Sequence, residues 1–152
     1  MRRSQLGVVT QWIAGTKVEI TYRRPVARGR ELFGALVPYG RMWTPSADSA
    51  ARLTTSAPIT INGAPLAAGS YSIWATPDSL SWSIAFNSSA ERFHLNVPSG
   101  GFVATVHAKP VQANDYVETL MFSFPSADAD SARLELRWGK TVVPMSIKAT
   151  PH

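Results

Sequence analysis

Residues 16–22 read TKVEITY, and the alternation within them decides the fold class. In an extended chain Val18, Ile20 and Tyr22 fall on one face and Lys17, Glu19 and Thr21 on the other, because successive side chains of a strand point to opposite sides. A helix would instead repeat its apolar positions at spacings of three and four. The same signature returns outward along the chain in ARLTTS (51–56), ITI (59–61), SYSIWA (70–75), SWSIAFN (81–87), FVATVHA (102–108), VETLMFSF (117–124), ARLELRW (132–138) and TVVPMSI (141–147). In ARLELRW, Leu134, Leu136 and Trp138 share one face and Arg133, Glu135 and Arg137 the other, the pattern of a half-buried antiparallel strand.

Between these runs lie turn signals. Asn62-Gly63 is a strong hairpin signal. RWGKT (137–141) predicts a tight turn into the last strand, and Pro144 inside that strand predicts an edge position. Helical periodicity is scarce: only ELFGALV (31–37) and SSAERFHL (88–95) offer a turn or two, and Gly34 weakens the first. The expectation is an all-β, antiparallel β-sandwich of about nine or ten strands, with the jelly roll as one arrangement of it. It forms a single domain over 1–152, with no repeat and no linker.

With 152 residues, 45% hydrophobic and 16% charged, the chain suits a globular domain with a real core. No apolar run approaches the roughly 18 residues needed to cross a bilayer, so a soluble chain without a membrane span is expected. The absence of cysteine rules out disulfides, thiolate metal sites and a cysteine nucleophile, and leaves the compartment open. A net charge of +5 raises a nucleic-acid reading, since Arg23, Arg24, Arg28, Arg30 and Arg41 gather near Tyr22, Phe33 and Tyr39. No recognised nucleic-acid motif accompanies them, and the other cations are scattered, which weighs against it.

The stretch that does not alternate, about residues 24–50, holds the candidate site. Tyr39 and Trp43 offer flat faces, and Arg24, Arg30 and Asp48 offer polar anchors. The plainer reading of the same residues is a cap: Leu32, Phe33, Leu36 and Val37 close one end of the sandwich and Pro38-Tyr39-Gly40 turns. Glu118 lies in phase with Leu120, Phe122 and Phe124. A carboxylate on an apolar face calls for a partner, and Arg24 or Arg30 is the natural one. Trp74 alternates with Ser72 and Thr76 on the more polar face of its strand, either buried under the irregular segment or exposed as a stacking platform. His94 and His107 are too far apart for a local ligand pair, His152 is terminal, and no metal-binding spacing occurs. No metal and no cofactor is expected. No nucleophile elbow, phosphate loop or dinucleotide fingerprint is present.

Read with its flanks, this segment carries a resemblance. TQWIAGTKVEITYRRPVARGRELFGALVPYGRMW (10–43), then ITINGAPLAAGSYSIWATP (59–77) and WSIAFN (82–87), is similar to the bacterial family DUF2911, a domain of unknown function. The similarity is dense over 8–88 and looser beyond, including Glu118 to Phe122. The family's Arg-Pro falls on Arg24 and Pro25, its Gly-Arg on Gly29 and Arg30, its Pro-Tyr-Gly on Pro38 to Gly40, and its Trp on Trp43. Where the family reads Arg-x-Gly-Ala-Asn, this chain has Thr44, Pro45, Ser46, Ala47 and Asp48. The resemblance implies a β-sandwich, usually carried behind an export signal, and no activity to transfer. An exported chain would have lost its leader, and Met1 would then not be the native start.

Three functions stand as expectations. The first is an extracytoplasmic (periplasmic or secreted) domain binding a small molecule, glycan or protein partner near Arg24, Arg30, Tyr39, Trp43, Asp48, Trp74, His94 and Glu118. The second is a hydrolase- or isomerase-type enzyme using Glu118, His94 or Asp48. The third is an assembly role through exposed sheet edges. The oligomeric state is left open.

Overall fold

The computed structural model describes residues 4–151; Met1 and His152 lie outside the described residues. Ten strands follow one another: β1 (Gln5–Ile13), β2 (Thr16–Arg24), β3 (Arg52–Thr55), β4 (Ile59–Ile61), β5 (Ala64–Leu66), β6 (Gly69–Thr76), β7 (Trp82–Asn87), β8 (Phe102–Ala108), β9 (Val111–Ala127) and β10 (Ser131–Ala149). They form two antiparallel sheets, ordered β1-β2-β3-β6-β7-β8 and β5-β4-β10-β9. The larger sheet runs in chain order, as a meander, whereas the smaller one joins the hairpins β4-β5 and β9-β10 side by side through β4 and β10. No helix occurs among the described residues, and hence none long and apolar enough to cross a membrane.

Alternation places the core as expected. Val18, Ile20, Leu53, Ile73 and Ile84 of one sheet meet Leu120, Phe122, Leu134, Leu136 and Ile147 of the other in one hydrophobic cluster. Burial of each such side chain is worth about 1.5–3 kcal/mol. Two hairpins turn on paired left-handed residues, Asn62 (φ 46°) with Gly63 (φ 85°) and Ala14 (φ 50°) with Gly15 (φ 82°). Two-residue loops of this kind match the twist of the flanking strands.

The irregular segment is explained by strand lengths. β3 has 4 residues, while its neighbours β2 and β6 have 9 and 8. Where β3 stops, the facing backbones of β2 and β6 would lose their partners, and buried backbone groups must be paired. Residues 43–51 fill that slot. On one side the Ala47 amide donates to the Arg23 carbonyl at 3.0 Å, and the Arg23 amide donates to Ser46 Oγ at 2.9 Å. On the other, Trp43 bridges Ala75 in both directions and the Ile73 amide donates to the Ala51 carbonyl. Thr44, wholly buried, donates from its hydroxyl to the Ile73 carbonyl at 2.7 Å and accepts the Ala51 amide at 2.9 Å.

The two sheets meet at a seam beside the end of β2. The Phe122 amide donates to the buried Tyr22 hydroxyl at 2.9 Å, and the two rings pack edge to face. The Leu120 amide donates to the Pro25 carbonyl and the Ala27 amide to the Glu118 carbonyl. Arg24 donates from Nε to the Leu120 carbonyl at 2.9 Å. On the exposed flank of β9, the Arg137 guanidinium bonds Asp115 at 2.8 Å and holds its carboxyl below the usual range.

Several local expectations are corrected. ELFGALV and SSAERFHL form turns and isolated bridges, not helical turns; each is too short and too interrupted to nucleate a helix. RWGKT does not turn: β10 runs through it as one 19-residue strand. Gly139, at φ 61°, absorbs an irregularity against β9 instead. Pro144 is not on an edge strand, since β10 lies between β4 and β9. It falls where β10 has left its register with β9, which ends at Val142, and has not reached its register with β4, which begins at Ile147. There a missing N–H costs no ladder bond.

Three substitutions test these assignments by urea unfolding. Tyr22→Phe strands the buried Phe122 amide and should cost about 1–3 kcal/mol. Thr44→Val strands both the Ile73 carbonyl and the Ala51 amide and should cost about 2–4 kcal/mol at nearly unchanged side-chain volume. Ala14→Asn suits the left-handed backbone better and should stabilise by up to about 1 kcal/mol.

Candidate functional site

Beyond the seam the chain turns at Arg28 (φ 54°) and Gly29 (φ 72°), and Arg30 folds back over the turn. Its Nε donates to the Ala27 carbonyl at 2.9 Å and an Nη to the Val26 carbonyl at 2.6 Å. A guanidinium has five N–H donors, so this one is anchored without being exhausted. Residues 31–37 close on themselves through amide-to-carbonyl bonds from Val37 to Leu32 and from Gly34 to Val37. Gly34 sits at φ 93°, and a Cβ there would come within 2.8 Å of the Tyr39 ring. This small knot drives Phe33 inward against Trp82 at 4.8 Å between ring centroids. Trp43 and Trp138 lie nearly parallel beside it, 8° apart in plane and 6.2 Å between centroids.

A groove of about 400 Å³ opens over this aromatic group, lined among others by Arg28, Arg30, Trp43, Ser46, His94 and Trp138, and no carboxylate residue lines it. His94 is locked from outside: its backbone amide and its ring Nδ1 both lie 3.0 Å from the Asp48 carbonyl. A carbonyl only accepts, so Nδ1 carries the proton, and Nε2 of the neutral ring is an acceptor. A second groove of about 430 Å³ adjoins the first, with Arg30 and Trp138 lining both. Its rim carries Tyr39 and Tyr116, 49% and 51% exposed, with Lys140 and Glu31.

The expected site residues are therefore partly gathered. Arg30, Trp43 and His94 line one groove. Asp48 belongs with them through its carbonyl, and the residue also lines a separate cleft of about 660 Å³. Tyr39 is on the far side of Arg30, in the adjoining groove. Arg24 is in the seam between the sheets, spent on the carbonyls of Leu120 and Thr119. Trp74 is no platform: it is fully buried, and its indole N–H bonds Ser72 Oγ at 2.9 Å.

Glu118 corrects another expectation. Its phase with Leu120 and Phe122 holds, but β9 has already left the core at that point and the residue is exposed. Its carboxylate accepts the Arg28 amide at 3.0 Å, and Arg24 and Arg30 donate to backbone carbonyls instead. Among the described residues no hydrogen bond joins Glu118 to His94, and no cluster of three or more histidines and carboxylates stands ready for a metal. Tyr116, Lys140 and Trp138 are groove residues that alternation does not mark, and Arg28 enters the expectations only through the basic cluster. Trp138 alternates with Leu134 and Leu136 and reads as core, which its burial bears out; only the folded position of the knot puts it beneath a groove.

No curated protein and no solved structure matches the chain. A family model described as a protein of unknown function, DUF2911, matches residues 4–147, from before β1 to near the end of β10. With nearly its whole length covered, and with the Arg24-Pro25, Pro38-Tyr39-Gly40 and Trp43 motifs built into the seam and the grooves, the chain belongs to the DUF2911 family.

Proposed function

We propose that this chain is a single extracytoplasmic binding domain whose paired grooves take an acidic glycan. The observation that carries the reading is the first groove's lining: an aromatic floor with Arg28, Arg30 and His94, and no Asp or Glu. Two guanidiniums in a lining that holds no carboxylate residue favour an anionic ligand. The adjoining groove adds two half-exposed tyrosines, with Lys140 and Glu31 on its rim, an arrangement that stacks flat sugar rings and leaves Lys140 for an acid. Because Arg30 and Trp138 line both grooves, an elongated ligand would run across the pair. The export-linked family resemblance supports the compartment.

Titration calorimetry with an oligogalacturonate and with a neutral oligosaccharide of equal length tests this. The acidic chain should bind, weaken as salt rises, and be preferred over the neutral one. Arg28→Asn removes a charge while suiting the left-handed backbone at that position. It should weaken binding about tenfold, the cost of one charge-assisted contact. Tyr39→Ala should weaken it comparably without salt dependence. Equal binding of both sugars, or none of either, would remove the glycan reading.

A further inference from the structure

Four strands end the two sheets, and three of them are guarded. β5 is three residues long with Pro65 at its centre. β8 has the Asn62 side chain donating to its His107 carbonyl at 2.9 Å, and β5 lies alongside. β9 carries Asp115 and Glu118 and breaks register against β10. Its edge is also taken up by Tyr22, Pro25 and Ala27. Charges, prolines, bulges and coverings of this kind keep an edge from templating another strand.

β1 is the least guarded: among the described residues only the Gln11 side chain covers its outer backbone, donating from Nε2 to the Trp12 carbonyl at 2.9 Å. Its nine residues, QLGVVTQWI, contain no charge and no proline, and pair with β2 without a break. The two-residue loop at Ala14-Gly15 makes Ile13 and Thr16 a hydrogen-bonded pair. By alternation Gln11, Val9, Gly7 and Gln5 also turn their backbone groups toward β2. Leu6, Val8, Thr10 and Trp12 turn theirs outward. Their amides donate to no backbone carbonyl outside the ladder. β9 and β10 both pass near β1 but form no ladder with it. The outward set also presents the apolar side chains Leu6, Val8 and Trp12, which are 54%, 54% and 59% exposed.

We propose that β1 pairs antiparallel with β1 of a second copy, about a two-fold axis at Val9, joining two six-stranded sheets into one. The strand is its own complement in that register. Every outward backbone position faces an outward position of the partner, Leu6 lies opposite the partner's Trp12, and Val8 lies opposite the partner's Thr10. An uncharged strand meets itself without like-charge repulsion, and a two-fold pairing closes the assembly at two chains.

Light scattering on the purified chain should return twice the 16.5 kDa of one copy. Val8→Lys should return one copy with unchanged circular dichroism and melting temperature, and Leu6→Lys serves as a second edge variant should the first fold poorly. The chain has no cysteine, so the double variant Val8→Cys, Thr10→Cys should give a covalent dimer on oxidation, as the register places these positions opposite one another. A monomeric wild type overturns the proposal and leaves the edge to a foreign strand. A dimer that survives both lysine variants, or one that never cross-links, overturns it in favour of another surface.

Discussion

The structure depends on one constraint: the backbone of β2 and β6 must stay hydrogen-bonded where the short β3 between them ends. An unpaired buried amide or carbonyl costs as much as a lost hydrogen bond, and both neighbours continue for several residues past β3. The chain meets the requirement with residues 43–51, which carry no regular structure yet bond to both sides as a strand would. The two short hydroxyls within it, Thr44 and Ser46, are both buried and engaged with the sheet backbone.

The grooves are a consequence of that insertion. The segment enters at the seam with β9 and leaves into β3, so what remains of it, from Arg28 to Met42, must stand out beyond the sandwich. The knot at 31–37 seats Phe33 among Trp43, Trp82 and Trp138, and the surfaces on either side of the knot become the two grooves. Structural and binding readings of the segment are therefore compatible. Its inner residues complete the sheet, and its outer residues, Arg28, Arg30 and Tyr39, line the openings.

Legibility varied with the range of the interaction. TKVEITY, SYSIWA and ARLELRW were read correctly because strand periodicity is local, and Asn62-Gly63 marked its hairpin because a left-handed pair needs those residue types. RWGKT misled because a glycine suits a bulge as well as a turn, and only the partner strand decides which. Glu118 misled in a different way: its phase was right, but phase says which face a residue occupies, not whether the opposite sheet still covers that face.

By itself, then, the sequence determined the class of structure, the positions and inward faces of most strands though not of β1 or β5, and the family, since alternation and turn chemistry act between residues a few positions apart. Only the tertiary structure decided that residues 43–51 substitute for a missing strand and that Arg24 clamps a seam. It also decided that His94 is held by the Asp48 carbonyl, and that Tyr39 and Trp43 face different grooves. Those outcomes join residues tens of positions apart through backbone groups that every residue possesses. A carbonyl leaves no mark in the sequence of what will bind it.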